Sequence, residues 1–390
     1  MKKIILFYSL SLFCLLSAVA QEKVPVFTSG TEGHKSYRIP AIIKIPNGDL
    51  LAFCEGRVNG SGDFGDINIV MKKSSDHGKT WTKLETIVDA DSLQAGNPAP
   101  VVDLTDPTYP KGRIFLFYNT GNNHEGEVRK GKGLREVWYK TSADGGLTWS
   151  AAVNITTQVH RPKQPQVNTA YNFSEDWRSY ANTPGHAMQF STGQYKGRIY
   201  VAANHSAGAP KGRFEDYFAH GFFSDDHGKT FHLSQDVAFP GSNEATAASL
   251  SGSGLLLNAR NQKGDVRARI IARSKDGGQT WTSITLDNNL PDPVCEGSIL
   301  NIGVKKRKQM LAFCNAADTL RRDNLTLRIS YDEGLSWKKN ILIEKSPDGK
   351  KDFTAYSDIV KLDKRSIGVL YERNGYAEIV FTAVNWKTGN

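Results

Sequence analysis

Cysteine is scarce in this chain: its 390 residues include four, at positions 14, 54, 295 and 314. Cys14 lies in an N-terminal apolar run, and the remaining three are an odd number, a poor disulfide framework. Cys54 and Cys314 sit in near-identical apolar strings, "LAFCE" and "LAFCN", the setting of packed thiols. No cysteine pair has zinc-ligand spacing, and no phosphate-loop or dinucleotide fingerprint occurs, so no metal or cofactor is expected. Beyond the first twenty residues, no stretch approaches the roughly 20 apolar residues of a membrane helix. Helical periodicity is hard to find anywhere, and no low-complexity linker marks a domain boundary. Dense basic runs are also few. "KKRK" at 305–308 stands alone and reads as a solvated turn, so no nucleic-acid partner is expected.

Residues 1–20, "MKKIILFYSLSLFCLLSAVA", combine a lysine pair, an apolar run and a small-x-small ending. That is the layout of a cleaved secretory signal, bacterial in appearance. The expected product is a single exported domain, 21–390, destined for the periplasm or the medium. Formal net charge is +9, and loss of Lys2 and Lys3 with the signal leaves +7. Such a modest positive field suits an anionic ligand.

What the chain has in quantity is a repeat. "SSDHGKTW" (74–81), "SADGGLTW" (142–149), "SDDHGKTF" (224–231), "SKDGGQTW" (274–281) and "SYDEGLSW" (330–337) share the form S-x-D-x-G-x-[TS]-[WF]. Each octet follows a strand-like string such as "INIVMKK" or "LTLRI". A β-rich string lies upstream ("LAFCEGR", "RIFLFYN"), and another precedes that ("YRIPAIIKI", "NPAPVVDL", "GHAMQF"). A sixth unit runs from "YSDIVKL" through "AEIVFTAVNW"; it keeps Trp386 but lacks the Asp and Gly of the octet. Alternation and β-branched or aromatic enrichment predict strands throughout. Six four-stranded antiparallel units predict an all-β, six-bladed β-propeller. "VPVFT" (24–28) is expected to supply the outer strand of the last blade.

In an antiparallel meander, the start of the first strand and the end of the second share a rim. The octets, at the ends of third strands, fall on the opposite one. Asp turn chemistry, glycine at positive φ and a packing aromatic give the octet a folding role. The other rim collects Arg38, Arg57, Asp63, Glu244, Arg260, Arg322, Tyr356 and Glu372, a cluster hard to justify as packing.

"YRIP", the five Asp boxes, "NARN", "RRDNLTLR" and "AYSD…YERN" together resemble the exo-α-sialidase (neuraminidase) family, over residues 26–386 or so. The resemblance implies a retaining glycoside hydrolase that removes terminal sialic acid from glycoproteins, gangliosides and oligosaccharides, as a monomer. It implies that Arg38, Arg260 and Arg322 grip the sialic acid carboxylate, a task suited to planar, permanently charged guanidinium. Arg321 competes with Arg322. Glu372 would brace Arg38, and Arg57 would meet the sugar ring. Asp63 would be the acid/base, with Asp66 as its rival; Tyr356 would be the nucleophile and Glu244 its proton acceptor. The "NPAP" strand and the segment around Trp177 are candidates for an N-acetyl pocket. His186 and His205 fall near this rim and read as structural. A trans-sialidase, or a non-catalytic glycan-binding propeller, remains the alternative.

Overall fold

The computed structural model describes residues 22–349 and 352–388; the signal-like segment lies outside them. Nearly all regular structure is β, as the alternation predicts. The exceptions are helices Glu125–Arg129 and Thr156–Val159 and a 3-10 turn at Gly212–Phe214. None of the described helices is long and apolar enough to cross a membrane.

The fold is an all-β propeller. Its described residues form five sheets rather than six separate ones. Four of them are single antiparallel meanders. The fifth has eight strands and runs through the first two repeat units, which are joined by one parallel bridge, Ile67 to Gln94. The innermost strands are laced to one another around an axis. Thr246 Oγ1 donates to Gly297 O and accepts from Ile299 N, Ser357 N donates to Glu296, and Ala187 N donates to Pro100 O. Asp358, fully buried, accepts from Ile42 N and His186 N and so ties three inner segments together.

Strand Val24–Thr28 pairs antiparallel with Glu378–Asn385, at the outer edge of the sheet that also holds Thr354–Lys361 and Ser366–Arg373. The first and last strands of the described chain thus lie side by side, with Phe27 fully buried between them and the first unit.

The octets are turn-builders. Within the first, Asp76 Oδ1 accepts from Thr80 N (2.9 Å), Asp76 Oδ2 accepts from Thr80 Oγ1 (2.6 Å), and Ser74 Oγ accepts from Gly78 N (2.8 Å). The other four repeat this pattern around Asp144, Asp226, Asp276 and Asp332. Each box also docks on the preceding unit. Gly78, at φ +88°, lies against Phe381, and Gly278, at φ +89°, lies against Tyr200. "KKRK" is a solvated hairpin turn with Lys306 and Arg307 at positive φ.

One strand differs from expectation. The third unit opens with Trp177–Asn182, and the expected "GHAMQF" contributes only the short Met188–Gln189; both pair with Ile199–Ala207. The chain bends between these two pieces, which alternation alone does not reveal.

Candidate active site

At the start of several first strands the register slips. The slips fall between Arg38 and Ala41, Gly96 and Ala99, Ser242 and Ala245, and Thr354 and Ser357. A bulge bends its strand and re-aims the residues inside it. Asn97, Glu244 and Tyr356 lie within these slips and Arg38 borders one. Ile39, a β-branched residue at φ +62°, marks the strain. All four side chains reach one cavity of about 280 Å³, at the rim opposite the octets.

The eight residues singled out in the sequence converge there. Seven line the cavity, and Glu372 lies directly beneath it. Tyr356 donates its phenol proton to Glu244 Oε1 at 2.5 Å, while Arg260 Nη1 bridges Glu244 Oε2 (2.6 Å) and the Tyr356 oxygen (2.9 Å). Burial, followed by the Glu244 carboxylate, pushes the Tyr356 pKa well above its ordinary 10, against Arg260 and Arg322. The resting phenol is therefore protonated, with Glu244 as its hydrogen-bond acceptor.

Glu372 is buried and reads three donors: Arg38 Nε (2.6 Å), Ile39 N (2.9 Å) and Tyr356 N (3.2 Å). It fixes the Arg38 fork and the Tyr356 backbone together. Burial works against charge on Arg38, but Glu372 outweighs it and holds the guanidinium ionised. Arg322 faces the cavity and Arg321 is exposed away from it, which separates the two neighbours. Arg322 donates to Tyr376 Oη (3.1 Å) and Val294 O (3.3 Å), and Arg38 stacks over the Tyr376 ring at 4.2 Å.

Asp63 projects from the glycine-rich loop with its side chain 82% exposed, held by Arg57 Nη1 at 2.8 Å. Desolvation tends to raise its pKa, but Arg57, Arg38 and Arg322 outweigh it and leave the carboxyl below its ordinary value. Asp66 does not line this cavity. Arg57 is itself pinned by Glu55 through Nε (3.1 Å) and Nη2 (2.7 Å).

Other lining residues escaped the sequence reading. Glu125, on a short helix, accepts from Ser179 Oγ (3.2 Å) and from Tyr217 Oη. Ser179, Tyr180 and Ala181 line the cavity, whereas Trp177 does not. Asn97 does, so the "NPAP" strand reaches the site. His186 and His205 do not: His186 Nδ1 pairs with Asp358 at 2.6 Å along the axis, and His205 is buried behind the wall. Tyr376, two residues past "YERN", could have been suspected from its place in the hairpin after Glu372.

Residues 29–369 match the BNR repeat-like domain model. The chain belongs to the BNR repeat-like family. The resemblance to sialidases read from the sequence is matched by the curated relatives of this chain. A sialidase of Micromonospora viridifaciens is 30% identical over 362 residues, covering 88% of this chain and 51% of the relative. The chain thus spans about half the length of that protein. Among solved structures, the Hadza microbial sialidase Hz136 superposes with a TM-score of 0.75 at 25% identity, over 93% of this chain and 68% of that one. The intramolecular trans-sialidase from Ruminococcus gnavus, solved with oseltamivir carboxylate, gives 0.72 at 16% identity, over 93% and 97%. At that identity the likeness concerns the fold alone.

Proposed function

We propose that this protein is a retaining exo-α-sialidase, acting on terminal sialic acid of glycoproteins, gangliosides and sialyl-oligosaccharides. The observation that carries this reading is the Tyr356–Glu244 hydrogen bond of 2.5 Å set among Arg38, Arg260 and Arg322. The three guanidiniums suit the substrate carboxylate. That carboxylate sits on the anomeric carbon and would repel an anionic nucleophile, whereas a neutral phenol approaches without that cost. Sialidases with a tyrosine nucleophile are known exceptions to the two-carboxylate scheme.

The geometry supports the following proposed steps. Tyr356 Oη attacks the anomeric carbon, its proton passes to Glu244, and Asp63 protonates the departing glycosidic oxygen. Asp63, now a base, then takes a proton from water as that water attacks the same carbon. The bond to Tyr356 breaks, and Glu244 returns the proton to the phenolate. Two inversions give retention. Asp63 enters this cycle ionised, and the arriving substrate carboxylate offsets the arginine charges that keep it so, favouring its protonation.

The same reading counts the eight-stranded sheet as two blades, six in all, with 21–390 as one catalytic domain. It makes the protein a monomer, exported through the signal at 1–20. Release of sialic acid from a fluorogenic sialoside tests it. Tyr356→Phe is expected to lower kcat at least about 10²-fold with its melting temperature intact. An inert wild type would sink the hydrolase reading, and an undiminished variant would sink the nucleophile. A sialylated product on adding lactose would mark a transferase instead.

A further inference from the structure

Behind the cavity wall lies a second cluster of polar groups that the proposed chemistry does not use. His205, on Ile199–Ala207, and His220, on Tyr217–Ser224, lie diagonally across paired strands and project from the same face of the sheet. Both are fully buried, and their Nδ1 atoms are 3.2 Å apart. The Nε2 atom of each has no hydrogen-bond partner. Asp236, just past His232–Leu233, brings Oδ2 to 3.7 Å from His205 Nε2. One ligand atom from each of the three residues falls within 4.8 Å of the others.

This is an unfavourable arrangement as it stands. Buried imidazole nitrogens without partners lose hydration and recover nothing. A carboxylate oxygen at 3.7 Å is too distant for a hydrogen bond. It does suit two ligands of one tetrahedral ion, whose edges are ~3.3 Å for bonds of about 2.0–2.1 Å. Neutral imidazole offers the lone pair that such an ion takes. The other grouping of this kind among the described residues, Asp103, Asp106 and His227, is already engaged: His227 Nδ1 meets Asp103 at 2.7 Å and Arg113 meets Asp106 at 3.1 Å.

We propose that His205, His220 and Asp236 bind a zinc-class divalent cation, with the fourth position open on the Asp236 side. Two imidazoles and a carboxylate select a late first-row metal over calcium or magnesium. The sequence alone gave no hint of it, because fourteen or more residues separate each ligand from the next. The ion would cross-link two strands of the third unit to the segment that follows its short outer strand. Trp177 stacks on His205 with ring centroids 3.5 Å apart, and Asn204, next in sequence to His205, lines the cavity. The site therefore stiffens the wall without touching substrate.

Calorimetric titration of the chelator-treated full protein with Zn²⁺ tests this. One equivalent is expected to bind and raise the melting temperature, while Ca²⁺ does neither. Co²⁺ is expected to give the visible absorption of imidazole ligation and to quench Trp177, the quench being lost in Trp177→Phe. Asp236→Asn, at the partly exposed ligand, leaves the buried histidines in place and is expected to weaken Zn²⁺ binding at least about tenfold. If His220→Asn fails to fold, Asp236→Asn still decides. Absence of stoichiometric Zn²⁺ binding, as for a site that holds only water, or unchanged affinity in Asp236→Asn, would overturn the proposal.

Discussion

Tyr356 and Asp63 occupy opposite electrostatic situations within one cavity, and each is set by its neighbours. Tyr356 is buried beside an anion, so its phenol keeps its proton. Asp63 is exposed among cations, with Arg57 at 2.8 Å, so its proton is given up early. The sign of the second effect is testable. A lowered carboxyl pKa means that the free protein carries the protonated acid only below that value, and kcat/KM, which reports the free enzyme, falls as pH rises through it. In Arg57→Gln the nearest positive charge is gone, so the Asp63 pKa rises. The alkaline limb of kcat/KM is then expected to move to higher pH, whatever happens to its height. Initial rates across pH check this, and an unmoved limb would remove Asp63 from the acid role.

At the scale of the element, two local devices divide the work. Bulges at the starts of first strands aim Asn97, Glu244 and Tyr356 into the cavity, with Arg38 at the edge of another. Asp boxes close the turns on the far rim and seat each unit on the one before it. Gly278 shows the second device most clearly. It adopts φ +89°, and a Cβ there would lie 2.4 Å from the Tyr200 ring. Gly278→Ala is expected to cost at least about 1–3 kcal/mol from backbone strain, with the clash added to it. Denaturant unfolding checks the loss, and turnover per folded molecule should stay unchanged because the box is remote from the cavity. A drop in turnover without a drop in stability would contradict the folding role.

The whole molecule is closed by its own N-terminal strand and held partly by its boxes. Deleting residues 22–28 would uncover the edge of Glu378–Asn385 and expose the core beneath Val26 and Phe27. A lower melting temperature and aggregation are expected, the behaviour of an exposed strand edge. The boxes also predict an acid limit. The Thr148 hydroxyl, followed by the Thr148 amide, holds Asp144 down to about 2 from an ordinary 3.8. Asp76 is lowered in the same way, by Thr80. A depressed carboxyl stabilises the fold above its unfolded pKa and loses that contribution as pH falls through the folded one. The melting temperature should therefore hold down to about pH 4 and fall steeply towards pH 2. Differential scanning fluorimetry across that window checks it, and a flat profile would remove the boxes from the ledger of acid stability.

Much was legible in the linear chain because it was repeated or chemically distinctive. Five octets at the ends of third strands marked the units and the rim to leave aside. The arginines, Tyr356 and Glu244 stood out because they gather at one rim and because their motifs resemble those of sialidases. The N-terminal strand could be assigned because the last unit lacked an outer strand. By itself the sequence determined the β class, the repeat, the closure and the residues of one rim, since alternation and turn chemistry act over a few neighbours. The tertiary structure alone decided what depends on distant segments meeting. It put Arg322 and Asp63 on the cavity lining and left Arg321 and Asp66 off it, brought Glu125 and Ser179 to the cavity wall, and merged the first two units through Ile67 and Gln94. It also set His205 and His220 beside Asp236. Bulges and through-space contacts carry no period in the sequence, so only the folded chain displays them.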